Sequence, residues 1–224
     1  MKTEANSRTE YPANQVSGVL WNLYSPASLP QRALATLRPY ICPFGPVLEQ
    51  TPENGRVLDI GCGNGLVLAV MAHFRRITEG VGVEINPRPL ETGAVVSARG
   101  GLPLRFQQAS DSGDWPRETF GTVSMIDVLH HVPREIREAF IAAALERVAP
   151  GGRFLFKDMT SSPWWRVRWN QFHDLVMARQ RVEVEPMENV VRWVEARGFR
   201  MQVQKSYSAC GLYGHELAVF DRPR

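Results

Sequence analysis

Short apolar runs separated by polar turns divide most of the chain into alternating strands and helices. Runs of four to nine residues that are bounded by glycine, proline or acidic residues predict strands, and longer amphipathic segments predict helices. The predicted strands are 57–60, 81–85, 104–109, 122–126, 153–158, 199–207 and 214–220, and the predicted helices are 29–37, 66–72, 87–98, 133–148 and 187–197. Strands that alternate with helices predict an α/β protein with a mostly parallel sheet covered on both faces.

The last two predicted strands differ from the others. The link between them is too short for a crossover helix, so strand seven must run antiparallel to strand six. If strand six is parallel to its other neighbours, its end and the start of strand seven lie at the edge of the sheet where ligands bind. This topology predicts that Tyr207, Tyr213 and His215 lie near a bound ligand.

A glycine-rich turn joins the first strand to its helix. Gly61, Gly63 and Gly65 stand at alternate positions, and the helix that follows directs unpaired N–H groups toward the turn. Glu84 ends the second strand about 20 residues later, the spacing at which nucleotide-binding units place an acid on the ribose hydroxyls. These features predict a site for a ligand that contains a ribose.

The stretch Asp59-Ile-Gly-Cys-Gly-Asn-Gly65 resembles the first motif of the class I S-adenosylmethionine-dependent methyltransferases. Its glycine spacing differs from the G-x-G-x-x-G pattern of dinucleotide folds. Residues 122–127 and the following Leu129-His-His-Val132 resemble the family's fourth motif in small-molecule methyltransferases. The resemblance implies S-adenosylmethionine as cofactor and a Rossmann-like, doubly wound, seven-stranded sheet with an antiparallel strand seven. It covers residues 55–160 strongly and 187–220 in outline.

The same resemblance implies the residues that contact the cofactor. Asp59 is expected at the ammonium group, Glu84 at the ribose, and Asp111 at the adenine amino group, although Ser110 is an alternative to Asp111. Asp127 is expected beside the methionine portion. The full predicted set is Asp59, Gly61, Cys62, Gly63, Glu84, Ile85, Asp111, Ser112, Asp127 and Val128.

Two segments fall outside the motifs and are expected to shape the acceptor site. Residues 1–50 are predicted to form an N-terminal lid on a methyltransferase domain of residues 51–224, and 160–186 a helical cap insertion. The aromatic residues proposed to contact the acceptor are Trp21, Tyr24, Trp165, Trp169, Tyr207 and Tyr213. Aromatic stripes of this kind also occur in ordinary cores, and the tryptophans and arginines of the cap would also suit shallow contact with a membrane surface.

Four histidines are alternatives for a general base. A neutral imidazole can take the proton of a hydroxyl acceptor near neutral pH. His130 and His131 follow the fourth motif, His173 lies on the predicted cap, and His215 begins strand seven. The sequence does not choose among them, and a reaction without a protein base is a further alternative.

Composition indicates which partners and which cellular compartment to expect. The 224 residues carry a net charge of only +3, too small an excess to indicate a nucleic-acid partner. Three separated cysteines and a polar, non-hydrophobic start predict a cytoplasmic protein with free thiols and no metal site. The oligomeric state is left open.

Three functions agree with these observations. The first is methyl transfer to an oxygen of an aromatic or lipid-like small molecule. The second is methylation of a carbon of a phenolic ring, and the third is a subunit or sensor that binds S-adenosylmethionine without turnover.

Overall fold

A seven-stranded sheet forms the centre of the computed structural model, which describes residues 10–160, 183–210 and 213–224. The strands are β1 (Gly55–Ile60), β2 (Ile77–Glu84), β3 (Leu104–Gln108), β4 (Phe120–Ile126), β5 (Val148–Met159), β6 (Arg200–Ala209) and β7 (Tyr213–Asp221). Their order in the sheet is β3-β2-β1-β4-β5-β7-β6. The first five strands are parallel, and β7 runs antiparallel to both β5 and β6. The predicted sheet is therefore confirmed.

Helices cover both faces of the sheet. In the described residues they are α1 (Ala13–Leu23), α2 (Leu29–Ile41), α3 (Gly45–Gln50), α4 (Leu66–His73), α5 (Pro87–Gly100), α6 (Arg137–Glu146) and α7 (Met187–Glu195). Residues of α1 to α5 share one apolar core, and residues of α6 and α7 share the core on the opposite face. None of these helices is long and apolar enough to cross a bilayer.

The prediction of a single helix in the N-terminal segment was wrong. Three helices form there, and α2 continues past Pro39 to Ile41. Ser28 and Gln31 form a capping box at the start of α2. Pro39 has no backbone N–H to donate, so the last turn of α2 forms with one hydrogen bond fewer, while the proline ring is buried.

The predicted helix over 133–148 was too long. Two short 3-10 turns, Leu129–His131 and Arg134–Ile136, precede α6, and β5 begins at Val148. The buried guanidinium of Arg137 explains part of this difference, since its Nε donates to the carbonyl of Val132 at 2.9 Å and holds the connection out of helical geometry.

The predicted cap falls mostly on residues 161–182, which lie outside the described residues. The predicted positions of Trp165, Trp169 and His173 fall there too.

Candidate active site

The carboxyl ends of β1 and β4 border a cavity of about 240 Å³. Ligands of parallel α/β sheets bind at such an edge, where neighbouring strands lead to helices on opposite faces. The lining residues come from α2 and its C-terminal connection, the end of β1, the glycine turn, the start of α4 and the end of β4 with the residue after it: Leu34, Ala35, Arg38, Cys42, Phe44, Asp59, Gly61, Cys62, Gly63, Asn64, Leu66, Val67, Ile126 and Asp127.

The glycine turn adopts backbone angles that residues with a side chain disfavour. Gly61, Gly63 and Gly65 have φ values of 71°, 55° and 77°. A Cβ on Gly61 would lie 2.5 Å from a methyl of Val128, so the two segments pack closely. A Cβ on Gly63 would meet nothing within 4 Å, which leaves open space above the turn for a ligand.

Glu84 reaches the turn from the end of β2. One of its carboxylate oxygens accepts from the N–H of Gly63 at 3.1 Å, and the other accepts from the N–H of Asn86 at 3.1 Å. Ile85 beside it is 64% exposed, which is unusual for a large apolar side chain next to a buried strand. The pair offers a polar and an apolar surface side by side.

Asp59 is a buried carboxylate in the cavity wall. The hydroxyl of Ser124 donates to it at 2.6 Å. Burial raises the pKa of Asp59 to about 7, with a smaller contribution from Glu84, while the bond from Ser124 opposes the shift. A carboxylate in this position would gain most from a cationic ligand.

A buried charge network lies behind the cavity. The ammonium of Lys157, which is 0% exposed, donates to Asp127 at 2.8 Å and to the sulfur of Cys42 at 3.0 Å. Burial alone would raise the pKa of Asp127, but the Lys157 ammonium, Arg38 and the hydrogen bond from Cys42 together hold that pKa well below its usual range. Arg38 also approaches Asp127, at 3.6 Å. Asp127 has a φ of 56°, so this network holds strained backbone at the end of β4.

His215 belongs to the same network. Its Nδ1 accepts from Lys157 at 3.3 Å, and its Nε2 donates to the carbonyl of Ile41 at 2.7 Å. Burial lowers the pKa of His215 to about 4, so the ring is neutral at pH 7. Tyr207 lies beside it, with ring centroids 5.8 Å apart, and Tyr213 is half-buried at the start of β7. The hairpin places Tyr207 opposite His215, but Tyr207, Tyr213 and His215 are not among the residues that line the cavity.

His130 forms a buried pair with Asp158. Its Nδ1 lies 2.5 Å from one carboxylate oxygen of Asp158, and its backbone N–H donates to the other at 3.2 Å. Asp158 also accepts from the N–H of Met159 at 2.7 Å, so the carboxylate is held on several sides. His131 is exposed, with its ring centroid 4.0 Å from that of His130.

The remaining predicted residues occupy different surroundings. Tyr24 is buried, and its hydroxyl donates to the carbonyl of Asn64 in the glycine turn at 2.7 Å. Trp21 is exposed beneath the guanidinium of Arg32, 3.6 Å from the ring centroid. The exposed carboxylate of Asp111 accepts from the N–H of Gly113 at 2.7 Å and caps the short turn that begins at Ser112.

Five of the predicted cofactor residues line the cavity: Asp59, Gly61, Cys62, Gly63 and Asp127. Sequence analysis missed Arg38, Cys42 and Lys157. Arg38 carried a signal, since it and Arg32 are the only charged residues between Tyr11 and Leu48. Nothing in the sequence pairs Lys157 with residues 30 and 115 positions away.

Residues 31–204 match the family model described as methyltransferase domain. The chain belongs to this methyltransferase family. The resemblance to class I S-adenosylmethionine-dependent methyltransferases and the fold that it implied are thereby confirmed.

Similar proteins include two curated relatives named ubiquinone biosynthesis O-methyltransferase. That of Hahella chejuensis is 31% identical over 111 residues, covering 48% of this chain and 44% of the relative. That of Xanthomonas axonopodis pv. citri is 27% identical over 146 residues, covering 64% and 59%. The chain spans about half the length of the curated relatives it matches.

A solved structure shares the fold over nearly the whole chain. Magnesium protoporphyrin IX methyltransferase from Synechocystis, with bound SAH, has a TM-score of 0.67 and 16% sequence identity. The alignment covers 96% of this chain and 97% of that one. At this identity the likeness concerns the fold.

Proposed function

We propose that the chain binds S-adenosylmethionine in the edge cavity and transfers a methyl group to an oxygen atom of an aromatic or lipid-like small molecule. The observation that carries the proposal is that one cavity is lined by the carboxylate of Asp59, the guanidinium of Arg38 and the backbone of Gly63, which has open space above it. The family match supports the same reaction class.

The cavity residues suit the amino-acid part of this cofactor. Its ammonium group would pair with Asp59, a carboxylate whose pKa is raised mainly by burial. Its carboxylate would pair with the guanidinium of Arg38. Glycines at 61 and 63 leave room for the chain between these two groups.

The nucleoside part suits the neighbouring edge of the sheet. Glu84 would accept from the ribose hydroxyls, and the exposed side chain of Ile85 would pack on the adenine ring. Asp111 would accept from the adenine amino group. The backbone of Asp127 would border the methionine portion, because its carboxylate is engaged by Lys157.

The cofactor would supply an electrophilic methyl group, and the chain must then remove the proton of the acceptor hydroxyl. His130 suits this task best. Donation from its Nδ1 to Asp158 selects the tautomer with the lone pair on Nε2, the arrangement that orients a histidine base. Both ring nitrogens of His215 are engaged by this chain, and His131 is exposed.

The choice of oxygen over carbon follows the relatives. The curated proteins that match this chain are named O-methyltransferases. Trp21, Tyr24, Tyr207 and Tyr213 remain proposals as acceptor contacts.

Calorimetric titration with S-adenosylmethionine tests the cofactor site. We expect Glu84→Ala to weaken binding by about 10- to 100-fold, since a carboxylate that accepts from hydroxyls contributes about 1.5–3 kcal/mol. Glu79→Ala is the matched control, because Glu79 lies on the same strand and pairs on the surface with Arg56 and Arg105. Wild-type protein that gives no binding heat, or equal binding by both variants, would contradict the proposal.

Turnover on a panel of phenols and catechols tests the reaction. Product analysis by NMR distinguishes a methoxy group from a methyl on a ring carbon. His130→Asn should lower kcat with little change in cofactor affinity. Tight cofactor binding without any methylated product would favour a binding subunit instead.

A further inference from the structure

The outward face of α2 is apolar. Leu29, Leu37 and Tyr40 are 72%, 56% and 39% exposed, and their spacing places them on one side of the helix. The buried residues of the helix, Ala35 and Pro39, lie on the opposite side. The helix therefore packs small side chains inward and presents large apolar ones to the outside, the reverse of an ordinary surface helix.

Exposed apolar side chains are concentrated in this region. Within the described part of the chain, five of the nine exposed large hydrophobic residues belong to α1 and α2: Trp21, Leu29, Leu34, Leu37 and Tyr40. Single exposed apolar residues are normal, but a cluster of this kind marks a contact surface.

The segment that carries the cluster contains charges of one sign only. Arg32 borders the apolar side of α2, whereas Arg38 faces the cavity, and residues 11–48 contain no acidic side chain. Arg32 is held over Trp21, with its Nε donating to the Trp21 carbonyl at 2.8 Å. Arginines that border an apolar helix face are suited to meet anionic groups while the apolar residues enter a less polar layer.

We propose that this surface, the α2 face (Trp21, Leu29, Leu37 and Tyr40 with Arg32), binds the surface of a lipid bilayer that contains anionic headgroups. A helix of 13 residues is too short to span the hydrocarbon layer, so it would lie in the interface. Both the apolar area and the Arg32 guanidinium would contribute to binding.

The position of the α2 face connects it to the cavity. Leu34, Ala35 and Arg38 of the same helix line the cavity, so a protein bound through α2 would hold its cavity next to the lipid surface. If the proposed function is correct, a lipid-soluble acceptor could enter from the bilayer without crossing water. Lipid binding itself does not depend on methyl transfer, so the two proposals can fail separately.

Vesicle flotation of the full chain tests the proposal. We expect it to float with vesicles of phosphatidylcholine mixed with phosphatidylglycerol, and less with phosphatidylcholine alone. Leu37→Glu should lower the partition coefficient on the mixed vesicles by about ten-fold or more, because a leucine that would enter the bilayer is replaced by an anion. Ile136→Glu is the matched control, since Ile136 is 50% exposed in the turn before α6 on the other face of the sheet.

Other occupants of the α2 face give different results. A dimer in analytical ultracentrifugation that Leu37→Glu dissociates would overturn the proposal in favour of a second copy. A lower thermal midpoint for Leu37→Glu than for Ile136→Glu would show that the chain covers this face itself. Absence of flotation, equal binding to both vesicle types, or equal loss by both variants would also overturn it.

Discussion

The ionisation of Asp59 should couple cofactor binding to the release of a proton. With a pKa of about 7, this carboxyl is largely protonated at pH 6 in the free protein, and an ammonium partner would favour the charged form. We therefore expect S-adenosylmethionine binding to release up to one proton near pH 6 and to strengthen as pH rises through 7. Calorimetry in buffers of different ionisation enthalpy measures this release.

The raised pKa of Asp59 also makes the stability of the folded protein depend on pH. The folded-state pKa of Asp59 lies above the value of about 3.9 for an unfolded aspartate, so the folded protein binds more protons between these values. Its contribution is complete below about pH 4 and is lost as pH rises through 7. Asp59→Asn should remove both effects, whereas Glu195→Gln on the exposed side of α7 should change neither. Unaltered proton release in Asp59→Asn would refute the assignment.

Lys157 is expected to be essential for stability because it compensates a buried charge. Replacing it with methionine leaves the carboxylate of Asp127 without its closest cation, and breaking a buried pair costs about 3–5 kcal/mol. Urea unfolding should show a loss of this size. The double variant Lys157→Met/Asp127→Asn should be more stable than the single variant, since it no longer buries an unpaired anion. Equal stability of the two variants would mean that the pair is not coupled.

At the scale of elements, two buried tyrosines differ in whether their hydroxyl forms a hydrogen bond. The Tyr24 hydroxyl joins the chain just after α1 to the glycine turn through Asn64, whereas the buried hydroxyl of Tyr207 has no hydrogen-bond partner among the described residues. Tyr24→Phe should cost about 1 kcal/mol in unfolding and weaken cofactor binding. Tyr207→Phe should be neutral or stabilising. Equal losses in both variants would show that the contact between Tyr24 and the turn does not matter.

The elements that could be predicted are those whose signal is local. The apolar run before Gly61 and the one that ends at Glu84 identify β1 and β2, and the short link after β6 dictates an antiparallel β7. Pro39 was misread as a helix end because the local rule does not include the burial of its ring in the folded chain. The α1 helix was missed although Val16, Leu20 and Leu23 stand at helical spacing, because more weight was given to the prolines and aromatic residues around them.

The residues of the candidate site also fall into those with a local sequence signal and those without one. Gly61, Gly63 and Glu84 follow each other along two adjacent strand ends, so a spacing rule finds them. The network of Lys157, Asp127 and Cys42 joins positions far apart in the chain, and its charges are balanced only once the chain is folded. Neither hydrophobic period nor local motif encodes that pairing.

At the scale of the whole molecule, cofactor binding should slow hydrogen exchange on one side of the protein only. The α1–α2 pair and the glycine turn meet at the cavity through Tyr24, Leu34 and Arg38, while β6 lies at the far edge of the sheet. A ligand that binds only the folded state suppresses local opening of the elements it touches. Hydrogen exchange with and without S-adenosylhomocysteine should therefore slow in residues 13–41 and 61–67. Exchange in 200–208 serves as the internal reference. Equal protection of both regions would indicate global stabilisation, and protection confined to 61–67 would remove the N-terminal helices from the cofactor site.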